Sequence, residues 1–118
     1  MLLVEDDADV REAFEALIEV HGFSVASVRT GREAFLRLRD GAWCLIILDW
    51  WLPDMDGEQF HRQLVADPTL APIPIAVCTA DAHIKKRAAA VGIQHVLLKP
   101  IEAEELVAVL DRHCTKAA

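Results

Sequence analysis

Glycine and proline are scarce, 5 of each in 118 residues, which excludes collagenous and low-complexity classes. Cysteine occurs only at positions 44, 78 and 114. Three so widely spaced are too few for a disulfide framework or a CxxC metal site, and a reducing compartment is expected. Basic residues are outnumbered 12 to 19, a net charge of -7, so neither nucleic acid nor an anionic membrane is an expected direct partner. Long apolar runs are missing too. The longest, such as Leu45 to Leu48, fall far short of the ~20 residues a spanning helix needs. No basic-then-apolar leader precedes the first apolar run, and a soluble, cytoplasmic protein is expected.

What the chain does have is 53% hydrophobic residues within a length suited to one core, so a single domain over 1–118 is expected. Four runs are continuously apolar: Leu2 to Val4, Leu45 to Leu48, Ile75 to Cys78 and Val96 to Leu98. They suit strands buried on both faces. Phe23 to Val28 reads as a less buried strand nearer an edge.

Between the strands, apolar residues recur at helical spacing. Val10, Ala13, Phe14, Leu17 and Ile18 mark a first helix that stops at Gly22. Thr30 and Glu33 form a candidate capping box for a second, burying Ala34, Phe35 and Leu38. Asp56 and Gln59 open a third with Phe60 and Leu64. A fourth spans about Ala82 to Val91, and a fifth buries Ala103, Leu106, Val107 and Leu110. Strand and helix alternate five times, which calls for an α/β fold: a doubly wound parallel sheet with helices on both faces.

Ligands of such sheets bind beyond the carboxyl ends of the strands. The residues there are Glu5, Asp6 and Asp7, then Asp49, Thr79, and Lys99 followed by Pro100. Two carboxylates about 5 Å apart repel by ~3 kcal/mol at an effective dielectric near 20. Helix capping accounts for Asp6 or Asp7 alone. It leaves Asp49 unexplained, because Asp56 already caps the third helix. A divalent cation resolves the conflict, and Mg²⁺ takes these hard oxygen ligands.

The segments Leu3-Val4-Glu5-Asp6-Asp7, Asp49-Trp50-Trp51-Leu52-Pro53-Asp54-Met55-Asp56-Gly57, Thr79-Ala80 and Lys99-Pro100 together resemble the receiver domain of bacterial two-component response regulators. The resemblance covers the whole chain, in order and spacing. It implies a flavodoxin-like strand order 2-1-3-4-5 and a phosphoryl group passed from the histidine of a sensor kinase or phosphotransfer protein to Asp49. It further implies Mg²⁺, or Mn²⁺ in its place, held by Asp6, by Asp49, by the Trp51 carbonyl and, through water, by Glu5. Lys99, Thr79 and the Ala80 N–H would contact the phosphoryl oxygens, and the Lys99-Pro100 bond would be cis. The output partner is unspecified, and a phosphorylation-dependent dimer is compatible with the family.

The sequence departs from that family at three places. Val96 stands where an aromatic switch residue is usual, and His95 points to the opposite face and cannot replace it. Gln94 and His95 replace acidic residues of the winged-helix transcription-factor subgroup, which argues against that subgroup's charge-laced dimer. Trp51, two residues beyond Asp49, either partly shields the acyl phosphate from water or touches a partner, or else simply packs over the rim. Asp81 could gate an attacking water or cap the fourth helix. His21, His61, His83, His95 and His113 show no paired-ligand spacing and read as surface or partly buried histidines. Cys44 and Cys78, at opposite strand ends about four residues apart at ~3.3 Å each, read as unbridged core residues.

Two alternative functions remain open. A phosphatase of the haloacid-dehalogenase-like kind also uses an aspartyl nucleophile with Mg²⁺, but it usually carries a second Asp where Trp51 stands. A degenerate receiver would act as a phosphorylation-independent interaction module.

Overall fold

The computed structural model describes residues 1–117, so the last position of the expected 1–118 domain lies outside it. The elements alternate as expected: β1(Leu2–Val4), α1(Ala8–Val20), β2(Ala26–Val28), α2(Gly31–Leu38), β3(Ile46–Asp49), α3(Gly57–Ala66), β4(Ile75–Thr79), α4(Ile84–Ala90), β5(His95–Leu98) and α5(Ala103–His113). The five strands form one parallel sheet in the order β2-β1-β3-β4-β5.

Two apolar layers cover the sheet. One face carries Leu2, Val4, Leu48 and Val77 against Ala34, Leu38, Phe60, Leu64, Ile84 and Ala88 of α2, α3 and α4. The other packs Leu3, Ile47, Cys78 and Leu97 against Phe14 and Ile18 of α1 and Leu106, Val109 and Leu110 of α5. The period of two along each strand divides its residues between these layers. In β5, Val96 joins the first layer and Leu97 the second. On α5 the burial differs from expectation: Val109 is buried, Val107 only partly, and Ala103 is exposed.

Helix termini follow local chemistry. Gly22, at φ +89, closes α1: its N–H donates to the Glu19 carbonyl and the Phe23 N–H to that of Ile18, the paired bonds of a left-handed C-cap. Phe23 is thereby drawn into the core, and β2 starts only at Ala26. At α3 the Asp56–Gln59 box is complete. At α2 it is half formed, because Thr30 accepts from the Glu33 N–H while the Glu33 carboxylate accepts from Arg29 instead. The α4 helix is shorter than expected. The Asp81 side chain accepts from the His83 N–H in a turn that precedes the helix, so it is not the helix cap.

The cysteines require a correction. Cys44 and Cys114, 70 positions apart in sequence, are joined with Cα atoms 5.3 Å apart, against the expectation of reduced thiols in a reducing compartment. The α5 helix runs back along the sheet from the strands' carboxyl ends, so its last turn lands beside the start of β3. Cys78 is free and buried, and burial pushes its thiol up to about 12, which leaves it unreactive. The same end of the sheet holds a histidine pair. His95 Nε2 and His113 Nε2 are 2.8 Å apart, and burial, with His113 and Arg112 nearby, lowers the pKa of His95.

Candidate functional site

Parallel strands all end on one side, and the polar residues that follow them converge there. Glu5, which follows β1, is held by its backbone: its N–H donates to the Val28 carbonyl at 3.0 Å, and its carbonyl accepts from the Arg11 guanidinium at 3.0 Å. Asp7 is used locally as the α1 N-cap, accepting from the N–H groups of Asp9 and Val10. That leaves Asp6 free of capping duty. Carboxylate oxygens of Glu5, Asp6 and Asp49 lie within 4.8 Å of one another. Three acidic ligand atoms so close form a hard-oxygen donor set, and a divalent cation fits it.

Lys99 reaches into this cluster from the end of β5. Its ammonium donates to Asp49 Oδ2 at 3.2 Å and to Glu5 Oε1 at 3.3 Å. One ammonium between these two leaves the acidic set under-neutralised. The consequence falls on Glu5, which is 3% exposed: burial, then the Asp49 charge, push its pKa up to about 7 against the opposing pull of Lys99. For Lys99 itself burial pulls the other way, but Asp49 and Glu5 outweigh it and the pKa is raised.

The remaining rim residues are arranged around Asp49. The Trp51 N–H donates to Asp49 Oδ1 at 3.1 Å, fixing the carboxylate's orientation. Thr79, 2% exposed at the end of β4, accepts from the Asp81 N–H at 3.2 Å and keeps its own hydroxyl proton for donation. Ala80 is exposed beside it. The Lys99–Pro100 bond is cis. Trp51 is 55% exposed, so packing over the rim does not account for its indole, whereas Trp50 is wholly buried beneath α3. A Cβ on Gly57 would come within 2.4 Å of the Trp50 ring, which explains why only glycine can begin α3 at this point.

One supporting residue carries no local signal in the sequence. Asp54, in the loop after β3, accepts from the N–H groups of Gly31 and Arg32 at 3.0 and 2.9 Å, capping α2 from 23 residues away. Val96 packs into the α3–α4 layer, and His95 turns the other way toward α5, so the two do not substitute for one another. No helix among the described residues is long and apolar enough to cross a membrane.

The geometry has close counterparts among known proteins. A putative response regulator from Chloroflexus aurantiacus superposes with a TM-score of 0.88 at 28% identity, over 94% of this chain and 93% of the other. The chemotaxis response regulator CheY4 of Vibrio cholerae gives 0.84 at 27% identity, over 94% of each chain. The phosphate regulon transcriptional regulatory protein PhoB of Pseudomonas aeruginosa is 32% identical over 112 residues, covering 93% of this chain and 49% of the relative. The chain thus spans about half the length of that relative. Residues 1–111 match the family described as the response regulator receiver domain. By sequence and fold alike, the chain belongs to the response regulator receiver family.

Proposed function

We propose that the chain, as one receiver domain over 1–118, accepts a phosphoryl group on Asp49 from the phosphohistidine of a sensor kinase or a phosphotransfer protein, with Mg²⁺ at the rim. The observation that carries this reading is the convergence of Glu5, Asp6 and Asp49 within 4.8 Å, with Lys99 on two of them. In the reaction the Asp49 carboxylate oxygen attacks phosphorus, the P–N bond of the donor breaks, and the departing imidazole takes a proton.

Each residue has a chemical task in that transfer. Asp49 is oriented by the Trp51 backbone N–H on Oδ1 and presents Oδ2, the oxygen that Lys99 contacts. The Lys99 ammonium, already on Asp49, neutralises charge on the incoming phosphoryl oxygens. The Thr79 hydroxyl and the Ala80 N–H donate to the oxygens of the product. Asp6 and Asp49, with the Trp51 carbonyl and Glu5 through water, would hold Mg²⁺ or Mn²⁺. A bound Mg²⁺ supplies the positive charge that lets an anionic phosphoryl group approach an anionic carboxylate. The chain is in this reading a signalling acceptor that assists its own phosphorylation and dephosphorylation rather than a turnover enzyme, working in the cytoplasm. Its output goes to a partner or an effector domain, through Thr79 and without the aromatic that Val96 replaces.

Addition of Mg²⁺ and then beryllofluoride, followed by tryptophan fluorescence, tests the site directly, since Trp50 and Trp51 adjoin Asp49. Two saturable changes are expected in the wild type, the second dependent on the first. Asp49→Asn should lose the second. A beryllofluoride response retained by Asp49→Asn would refute the assignment.

A further inference from the structure

At the pole opposite the carboxylates, the first residue of β5 and the last of α5 bring two imidazoles together. Their Nε2 atoms are 2.8 Å apart, and the rings meet edge-on with centroids 4.9 Å apart. We propose that His95 and His113 form a second cation site, a two-imidazole chelate for a borderline transition-metal ion of the Zn²⁺ and Ni²⁺ class.

Two ring nitrogens at this separation need an electrophile shared between their lone pairs. A proton serves when no metal is present. A metal can replace it once the rings turn so that both lone pairs converge: with metal–nitrogen bonds of about 2.05 Å, a 2.8 Å separation subtends about 86°, the angle between neighbouring positions of an octahedral or square-planar ion. A modest opening of the pair reaches the tetrahedral angle that Zn²⁺ prefers.

Both ligands are held before any ion arrives. His95 is fixed by its register opposite Ala76 in the sheet. His113 precedes Cys114, whose N–H donates to the Leu110 carbonyl at 2.8 Å and whose sulfur is tied to Cys44. Beyond it, the Ala117 N–H bonds the Gly22 carbonyl at 2.7 Å. Much of the ordering cost of chelation is therefore met by the fold. The pair borders a cavity of about 370 Å³ that His61 and Gln94 also line, which gives space for the ion's remaining ligands. Among the described residues, no third His, Cys, Asp or Glu donor lies within 4.8 Å of both rings. Water, or a donor from another molecule, completes the coordination. Imidazole selects borderline ions over Mg²⁺, and carboxylates with waters suit Mg²⁺, so the two poles differ in the cation they take.

The test adds ZnCl₂ alone to the full chain, with calorimetry for affinity and NMR of the histidine rings for location. Zn²⁺ should shift the His95 and His113 ring resonances together, persist in excess Mg²⁺ and bind Asp49→Asn as it binds the wild type. His95→Gln and His113→Gln should each weaken binding at least about tenfold, since even the loss of a residue supporting a metal ligand costs 10–100-fold. His113 ends a helix at a half-buried position, so its variant keeps the test usable if His95→Gln fails to fold. Unmoved ring resonances, undiminished affinity in His113→Gln, or loss of binding in Asp49→Asn would each overturn the proposal.

Discussion

The two ends of the sheet solve opposite problems. At the carboxyl ends, like charges from two segments of the chain are pressed together and, among the described residues, Lys99 alone bridges them. At the amino ends, the start of β3 is tied covalently to the end of α5, and two imidazole rings meet between β5 and α5. The first end holds unresolved electrostatic energy that a ligand can relieve. The second is closed by bonds within the chain. Chemistry that must respond to phosphorylation belongs at the first end, because a site responds only where its free energy differs between bound and unbound states. In the proposed reading, the second end is the cross-linked base of that response.

This contrast can be broken from the amino-end side first. Opening the Cys44–Cys114 link, by reduction or by Cys114→Ser, should cost about 4 kcal/mol by the chain-entropy argument for a 70-residue loop. Urea denaturation would measure the loss. The Mg²⁺ and beryllofluoride responses should survive it unchanged, and their disappearance would mean that the two ends are not separable.

At the carboxyl end the lever is pH. The folded protein keeps the Glu5 proton up to about 7, whereas an ordinary glutamate releases it near 4.5. Between those values the native state binds more protons than the unfolded one, so stability falls as pH rises and levels off above about 7. Without Mg²⁺, the decline from about pH 4.5 to 8 should amount to a few kcal/mol. Glu5→Gln should flatten it, and so should Mg²⁺, which binds the ionised cluster. A stability curve that rises over this interval in the wild type would contradict the picture of an over-charged rim.

Two smaller effects sharpen the comparison. Gly57→Ala, forced against the Trp50 ring, should cost about 1–3 kcal/mol in thermal or denaturant unfolding, showing that the rim loop depends on the packing beneath it. Trp51→Asn should alter the phosphoryl lifetime on Asp49 by no more than about twofold, under ~0.5 kcal/mol of barrier, because the indole is 55% exposed. A much shorter lifetime would assign the indole a shielding role.

What the sequence made legible is what local physics controls. The apolar runs and helical spacings located every strand and helix. The Asp56–Gln59 box formed as read, because both bonds lie within four residues. The residues following the strands could be gathered at one rim, since parallel strands end together. Contacts made by long-range packing had no such signal. Asp54 caps α2 across 23 residues, His95 meets His113 across 18, and Cys44 finds Cys114 across 70. The last two pairs depend on where α5 ends after running back along the sheet, and the first on how the loop after β3 meets the start of α2. The Glu33 carboxylate shows the same limit at short range, choosing the Arg29 N–H over that of Thr30.

The central claim is that Asp49 becomes the phosphoryl acceptor because a divalent cation makes its crowded rim receptive. Incubation with acetyl phosphate, with and without Mg²⁺, followed by mass-spectrometric mapping of the modified residue, tests it most directly. The account predicts a single phosphoryl group, on Asp49 and only when Mg²⁺ is present. Modification that proceeds equally well without Mg²⁺, or that falls on another residue, would contradict it.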